Sequence, residues 1–156
     1  MRLLQLHSLS ISQGFGTCLL PSRYRLPFIR DELQAGEDSI VVGHSSGAVA
    51  AMRLLETDKL GGVVLVSACH TDLGNANERA SGYYSRPWAW DKMRKNAGFI
   101  VQFHSTDDPF IPVSEARHIQ ENLGTEYEEH TDKSHFFGPY EGIFQVIRDK
   151  VAITST

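Results

Sequence analysis

The pentapeptide Gly43-His44-Ser45-Ser46-Gly47 constrains this chain more than any other feature, because of what flanks it. Before it, Ser39–Gly43 (SIVVG) is a short continuous apolar run of the kind that forms a strand buried on both faces. After it, Gly47–Thr57 places Ala48, Ala51, Met52 and Leu55 on one helical face. G-x-S-x-G between a buried strand and a helix is the setting of a nucleophile elbow. Glycines on either side let strand and helix pass closely, and the serine hydroxyl is raised at a helix N-terminus, where negative charge is favoured. The same letters could mark a plain tight connection or a phosphate-binding loop, but the flanking elements favour Ser45 as a nucleophile. Ser46 occupies the x position and would offer its backbone N–H to an oxyanion.

The rest of the chain repeats the alternation of strand and helix. Leu26–Leu33 reads as the end of a helix stopped by Gly36, and Gly62–Ala68 (GVVLVSA) as a second buried strand. A polar segment, Cys69–Arg86, leads to a helix opened by Pro87. Phe99–Phe103 is a third strand, Val113–Leu123 a helix closed by Gly124, Thr125–His130 a weaker strand, and Tyr140–Val151 a closing helix. Such alternation implies βαβ crossovers, so the expected class is α/β with a mostly parallel sheet flanked by helices.

Residues 1–25 are read as a divergent leader before a single domain spanning 26–156. The leader has no Asp or Glu, carries Arg2, Arg23 and Arg25, and is rich in serine, which is also the composition of an organellar transit peptide. Elsewhere the charge is unexceptional. A net charge of −4 with scattered basic residues gives no footprint for nucleic acid, and no apolar run is long enough to span a bilayer. Two cysteines, Cys18 and Cys69, are too few for a disulfide framework or zinc site and suit a reducing compartment. The expected location is the cytoplasm, with the nucleus or an organelle as alternatives.

A nucleophilic serine needs a base and an orienting acid, which follow it at the ends of later strands in this kind of fold. The first such loop is Ser105-Thr106-Asp107-Asp108-Pro109-Phe110-Ile111-Pro112, and the second is Thr131-Asp132-Lys133-Ser134-His135-Phe136. Asp108 is preferred as the acid because the D-x-x-I-P arrangement begins there; Asp107 is then a loop-capping residue. Of seven histidines, only His135 follows both the last strand and the acid, so it takes the role of base. Adjacent carboxylates point apart and no ligand cluster accompanies them, so neither a metal nor a cofactor is expected.

Further stretches carry a specific resemblance. IVVGHSSGAVAAMR, VVLVSA with TDLG and NERASGYY, RPWAW, IVQFHSTDDPFIP and HTDKSHF, in that order, resemble the retinoblastoma-binding protein 9-like serine hydrolases of the α/β-hydrolase superfamily. The resemblance covers about Leu26 to near the C-terminus and implies an α/β-hydrolase fold with a triad of Ser45, Asp108 and His135. The family begins with a strand and a Gly-rich loop that carries an oxyanion donor, and the leader does not resemble either. Gln13-Gly14-Phe15-Gly16 is a poor substitute. The expectation is therefore a sheet missing its N-terminal strand, with no segment flanking Ile40–Val42 on one side. The family name also implies a pocket-protein partner through L-x-C-x-E, but the matching Leu33-Gln34-Ala35-Gly36-Glu37 has alanine in place of cysteine, which puts that partner in doubt.

The expected chemistry is cleavage of an ester, thioester or amide, with a small-molecule or peptide-like acyl substrate and neither nucleic acid nor membrane as partner. Tyr83, Tyr84, Trp88 and Trp90, in the insertion after the second strand, are candidate substrate contacts. Aromatics anchoring a helix to the core explain them equally well. The rival class is a shortened, inactive hydrolase-like scaffold that acts by protein–protein contact.

Overall fold

The computed structural model describes residues 1–6, 10–11, 18–19 and 21–154. In chain order the elements are β1 (Arg2–Leu6), β2 (Ser10–Ile11), β3 (Cys18–Leu19), α1 (Ser22–Pro27) with a π-helical turn over Phe28–Glu32, β4 (Ser39–His44), α2 (Ser46–Leu55), β5 (Gly62–Val66), α3 (Ala76–Ala80), α4 (Trp90–Asn96), β6 (Ile100–Ser105), α5 (Val113–Leu123), β7 (Glu126–His130) and α6 (Glu141–Thr154). A five-stranded sheet has the order β1-β4-β5-β6-β7, and β2 pairs with β3 in a separate ribbon. Every pairing in the five-stranded sheet is parallel.

Parallel neighbours require crossovers of one hand, which gathers the connecting helices on one face. On that face Val41, Val63, Leu65 and Ile100 pack with Ala48, Met52, Met93 and Ile119 from α2, α4 and α5. On the other, Ile40, Val42, Val64, Val66, Val101 and Phe103 pack with Ile143, Val146 and Ile147 of α6. β4 and β5 are apolar at consecutive positions because each has two dry faces. Gly124 ends α5 in the left-handed conformation, φ 63°. No helix among the described residues is long and apolar enough to cross a membrane.

One part of the fold expectation is corrected. The side of β4 expected to lack a neighbour is covered by β1, which pairs along its whole length from Arg2 with Ser39 to Leu6 with Gly43. Its sequence gives a faint signal because it is an edge strand: only Leu6 is fully buried, and Leu3 is 45% exposed. Residues 2–6 and 22–25 of the leader thus lie in the sheet and in α1, while Gln13–Gly16 and His7 fall outside the described residues. A second correction concerns Pro87, which does not open a helix; α4 begins at Trp90. The Arg86 and Pro87 carbonyls are instead held by Arg53 Nη2 and Nη1, at 2.7 and 3.2 Å.

Candidate active site

β4 ends by delivering Ser45 to the head of α2 with φ 55° and ψ −121°. A non-glycine residue there stores strain of roughly 1–3 kcal/mol, which the surrounding structure must hold. Two features hold it. The Ser45 N–H donates to the Val66 carbonyl of β5 at 2.9 Å, and the strand and helix pass too closely for side chains at either glycine. A Cβ on Gly43 would stand 2.5 Å from the Gly47 carbonyl oxygen, and one on Gly47 would collide with the Leu6 backbone of β1. As the first residue of α2, Ser46 carries an N–H without an intrahelical acceptor. Beneath it, Arg25 of α1 is buried and donates from Nη1 to Ser46 Oγ at 3.3 Å. The sequence reading passed over Arg25 because it lies in the leader.

Asp108 and Asp107, adjacent in sequence, part at the end of β6. Asp108 Oδ2 accepts from His135 Nδ1 at 2.7 Å, while Oδ1 accepts the Phe110 and Ile111 N–H groups at 2.9 and 3.0 Å. Asp107 turns the other way and accepts from Ser105 Oγ at 2.5 Å and the Ser134 N–H at 2.9 Å, tying the acid loop to the base loop. Burial pushes the Asp108 carboxyl up, but the bonds from His135, Phe110 and Ile111 outweigh it and hold it below the usual carboxylate range. His135 is fixed on a second side, where its carbonyl oxygen lies 2.7 Å from His44 Nε2. With Nδ1 committed to Asp108, Nε2 of His135 is the nitrogen left to act as acceptor.

Ser45, Ser46 and His135 open on one cleft of about 810 Å³. No hydrogen bond joins Ser45 to His135 among the described residues, though both line the cleft; such bonds often tighten only when substrate is bound. Of the four aromatic residues read as substrate contacts, Tyr84 alone lines this cleft. The placement of the other three on the site is corrected. Tyr83 is fully buried in the core. Trp88 lies under the Arg53 guanidinium, 3.5 Å from ring centroid to Cζ, and donates from Nε1 to the His70 carbonyl. Trp90 stacks on Trp88 with ring centroids 5.7 Å apart. These residues fasten the insertion to α2.

Several residues of the cleft were not singled out in sequence. Phe110 and Phe137 stand edge-on or tilted against the His135 ring, with centroids 5.2 and 5.4 Å away; their proximity to Asp108 and His135 in the chain was the available signal. Leu73 and Glu78 come from the segment read as merely polar. That segment holds α3, capped by Asn75, whose side chain accepts the N–H groups of Asn77 and Glu78. Cys69 also lines the cleft, but burial pushes its thiol up to about 12, so it is no nucleophile.

A parallel sheet with an elbow serine at the end of β4 and an Asp–His pair on the following strand ends defines an α/β-hydrolase. A family model described as serine hydrolase matches residues 26–145, and the chain belongs to that family. The serine hydrolase RBBP9 of Rattus norvegicus is 50% identical over 111 residues, which cover 71% of this chain and 60% of the relative. The chain therefore spans about 60% of the length of that relative. Among solved structures, the ydeN gene product of B. subtilis aligns over 97% of this chain and 98% of its own with a TM-score of 0.83 at 18% identity. A monoacylglycerol lipase of Paleococcus ferrophilus aligns over 98% and 93% with a TM-score of 0.58 at 17% identity. Both structures share the fold.

Proposed function

We propose that this chain hydrolyses an ester, thioester or amide through an acyl-enzyme on Ser45. The observation that carries the reading is the His135–Asp108 pair, bonded at 2.7 Å and opening on the cleft that holds the strained Ser45. Ser45 Oγ attacks the carbonyl carbon while its proton passes to His135 Nε2. The carbonyl oxygen becomes an oxyanion facing the Ser46 N–H, at the N-terminus of α2. The oxyanion collapses, the bond to the leaving group breaks, and that group takes the proton from His135. A water molecule, deprotonated by His135, then attacks the acyl carbon, and the Ser45 hydroxyl is restored as the acid departs. Asp108 holds the imidazole tautomer and balances its charge throughout.

The free, buried Cys69 supports a reducing compartment such as the cytoplasm or nucleus. Pocket-protein binding through Leu33–Glu37 is not part of this reading, since Ala35 replaces the cysteine and both Leu33 and Ala35 pack against the core. Hydrolysis of p-nitrophenyl acetate tests the proposal. Wild-type turnover that Ser45→Ala and His135→Ala each abolish supports it, because members of such a unit fail singly. A folded wild type without turnover, or turnover untouched by both changes, refutes it.

A further inference from the structure

A second cavity, of about 390 Å³, adjoins the cleft and has no part in the chemistry above. It opens where the ends of β1, β4 and β5 meet the start of α6, and its walls include Val42, Val66, Tyr140, Ile143 and Phe144. The cleft and the cavity share two side chains, His44 and Phe137. His44 precedes Ser45 in the chain, and its ring lies 4.8 Å from that of His135, so the shared wall lies beside the reacting centre. The rim is apolar as well: Phe137 is 71% exposed, Phe110 61% and Phe144 41%. Phe110 and Phe137 also touch each other edge-on, with centroids 5.9 Å apart. Exposed aromatics gathered at the mouth of a site mark a surface built to receive apolar matter. The cleft, unlike the cavity, also has Asn75 and Glu78 in its lining. Burial, and after it the nearby Asp72, pushes the Glu78 carboxyl up.

We propose that the cavity between β4, β5 and α6 is an acyl-chain pocket, and that the substrates are esters or thioesters joining a straight medium-length acyl chain to a polar leaving group. The proposal rests on acyl transfer at Ser45 and deepens it. With the carbonyl carbon at Ser45 and its oxygen toward the Ser46 N–H, the chain runs past His44 and Phe137 into the cavity. The leaving group is then directed to the side of Asn75 and Glu78. A cavity of this volume is at the small end of ligand sites, which suits a single chain rather than a sterol or a second acyl group. Each methylene taken from water is worth up to about fourfold in kcat/KM.

The test is a series of p-nitrophenyl esters, acetate, butyrate, hexanoate and octanoate, run on the wild type and two fillers, Gln5→Trp and Ile143→Trp. Gln5 is an exposed residue of β1 on the cavity wall, so its replacement carries little folding risk. In the wild type kcat/KM should climb from acetate to at least hexanoate. In Gln5→Trp the octanoate-to-acetate ratio should fall to near unity, and Ile143→Trp should do the same if it folds. Turnover of acetate by the wild type establishes the hydrolase reading independently. An active wild type whose kcat/KM is flat or falls beyond acetate, or whose climb survives Gln5→Trp, overturns the acyl pocket and leaves the hydrolase standing. A wild type inactive on every ester overturns both.

Discussion

His135 Nδ1 donates to Asp108 Oδ2 at 2.7 Å, and the two side chains are only 8% and 1% exposed. A bond so withdrawn from water fixes the imidazole without competition from solvent. Asp107, one residue earlier, is exposed and bonds to Ser105 and Ser134 instead. Asp108→Asn should therefore reduce kcat by about 10⁴-fold, because an amide can stabilise the wrong tautomer. Its Oδ1 contacts to Phe110 and Ile111 remain available, so the fold should persist. Asp107→Asn should lower stability only slightly, because Asp107 is exposed and water can replace its lost bonds, and should keep most of its turnover. Ester kinetics and urea unfolding of both variants check this; equal kinetic losses would contradict it.

The contrast between these two aspartates was legible because loop chemistry is local: D-x-x-I-P and the following strand end specify which carboxylate turns inward. The elbow was legible for the same reason, since Gly43 and Gly47 are demanded by a close passage between neighbouring elements. What escaped depends on distant partners. β1 has ordinary composition and becomes a strand because Ile40–Val42 offers a parallel edge. α3 is an exposed single turn or so, held by its Asn75 cap and without an apolar face to detect. Trp88 and Trp90 read as substrate contacts because nothing in their own segment reveals the guanidinium of Arg53, thirty-five residues before Trp88, that covers the Trp88 ring on which Trp90 stacks.

Arg53 carries the second prediction. It is 1% exposed and donates to Glu56 at 2.5 Å and to the Tyr83 carbonyl at 2.6 Å, besides the Arg86 and Pro87 carbonyls. Arg53→Met removes every one of these donors and leaves the buried Glu56 with only Arg86 and the Ala89 N–H as partners. A loss of about 3–5 kcal/mol is expected, the usual cost of breaking a buried pair from one side. Chemical denaturation measures it; a loss under about 1 kcal/mol, the value of a surface pair, would contradict it.

Acid sensitivity follows from His104, which is fully buried at the end of β6 with Nε2 3.0 Å from the Ile111 carbonyl. Burial lowers its pKa, against the opposing bond to Ile111, and burial also lowers that of His70. Between the folded pKa and the unfolded value of about 6.5, the unfolded chain binds a proton that the folded chain refuses. Stability is thus full above that unfolded value and declines as pH falls through the window. Urea midpoints should drop from neutral pH toward about pH 5, and His104→Gln should flatten the slope. An unchanged slope would exclude His104 as its source.

The most direct measurement is the intact mass of the purified chain after reaction with a fluorophosphonate. Wild type and Ser46→Ala should each gain a single phosphonyl group, mapped by peptide mass to Ser45, while Ser45→Ala and protein blocked beforehand with an ester-type inhibitor should gain none. A folded wild type that stays unmodified, or an adduct that persists in Ser45→Ala, would contradict the assignment of Ser45 as an activated nucleophile.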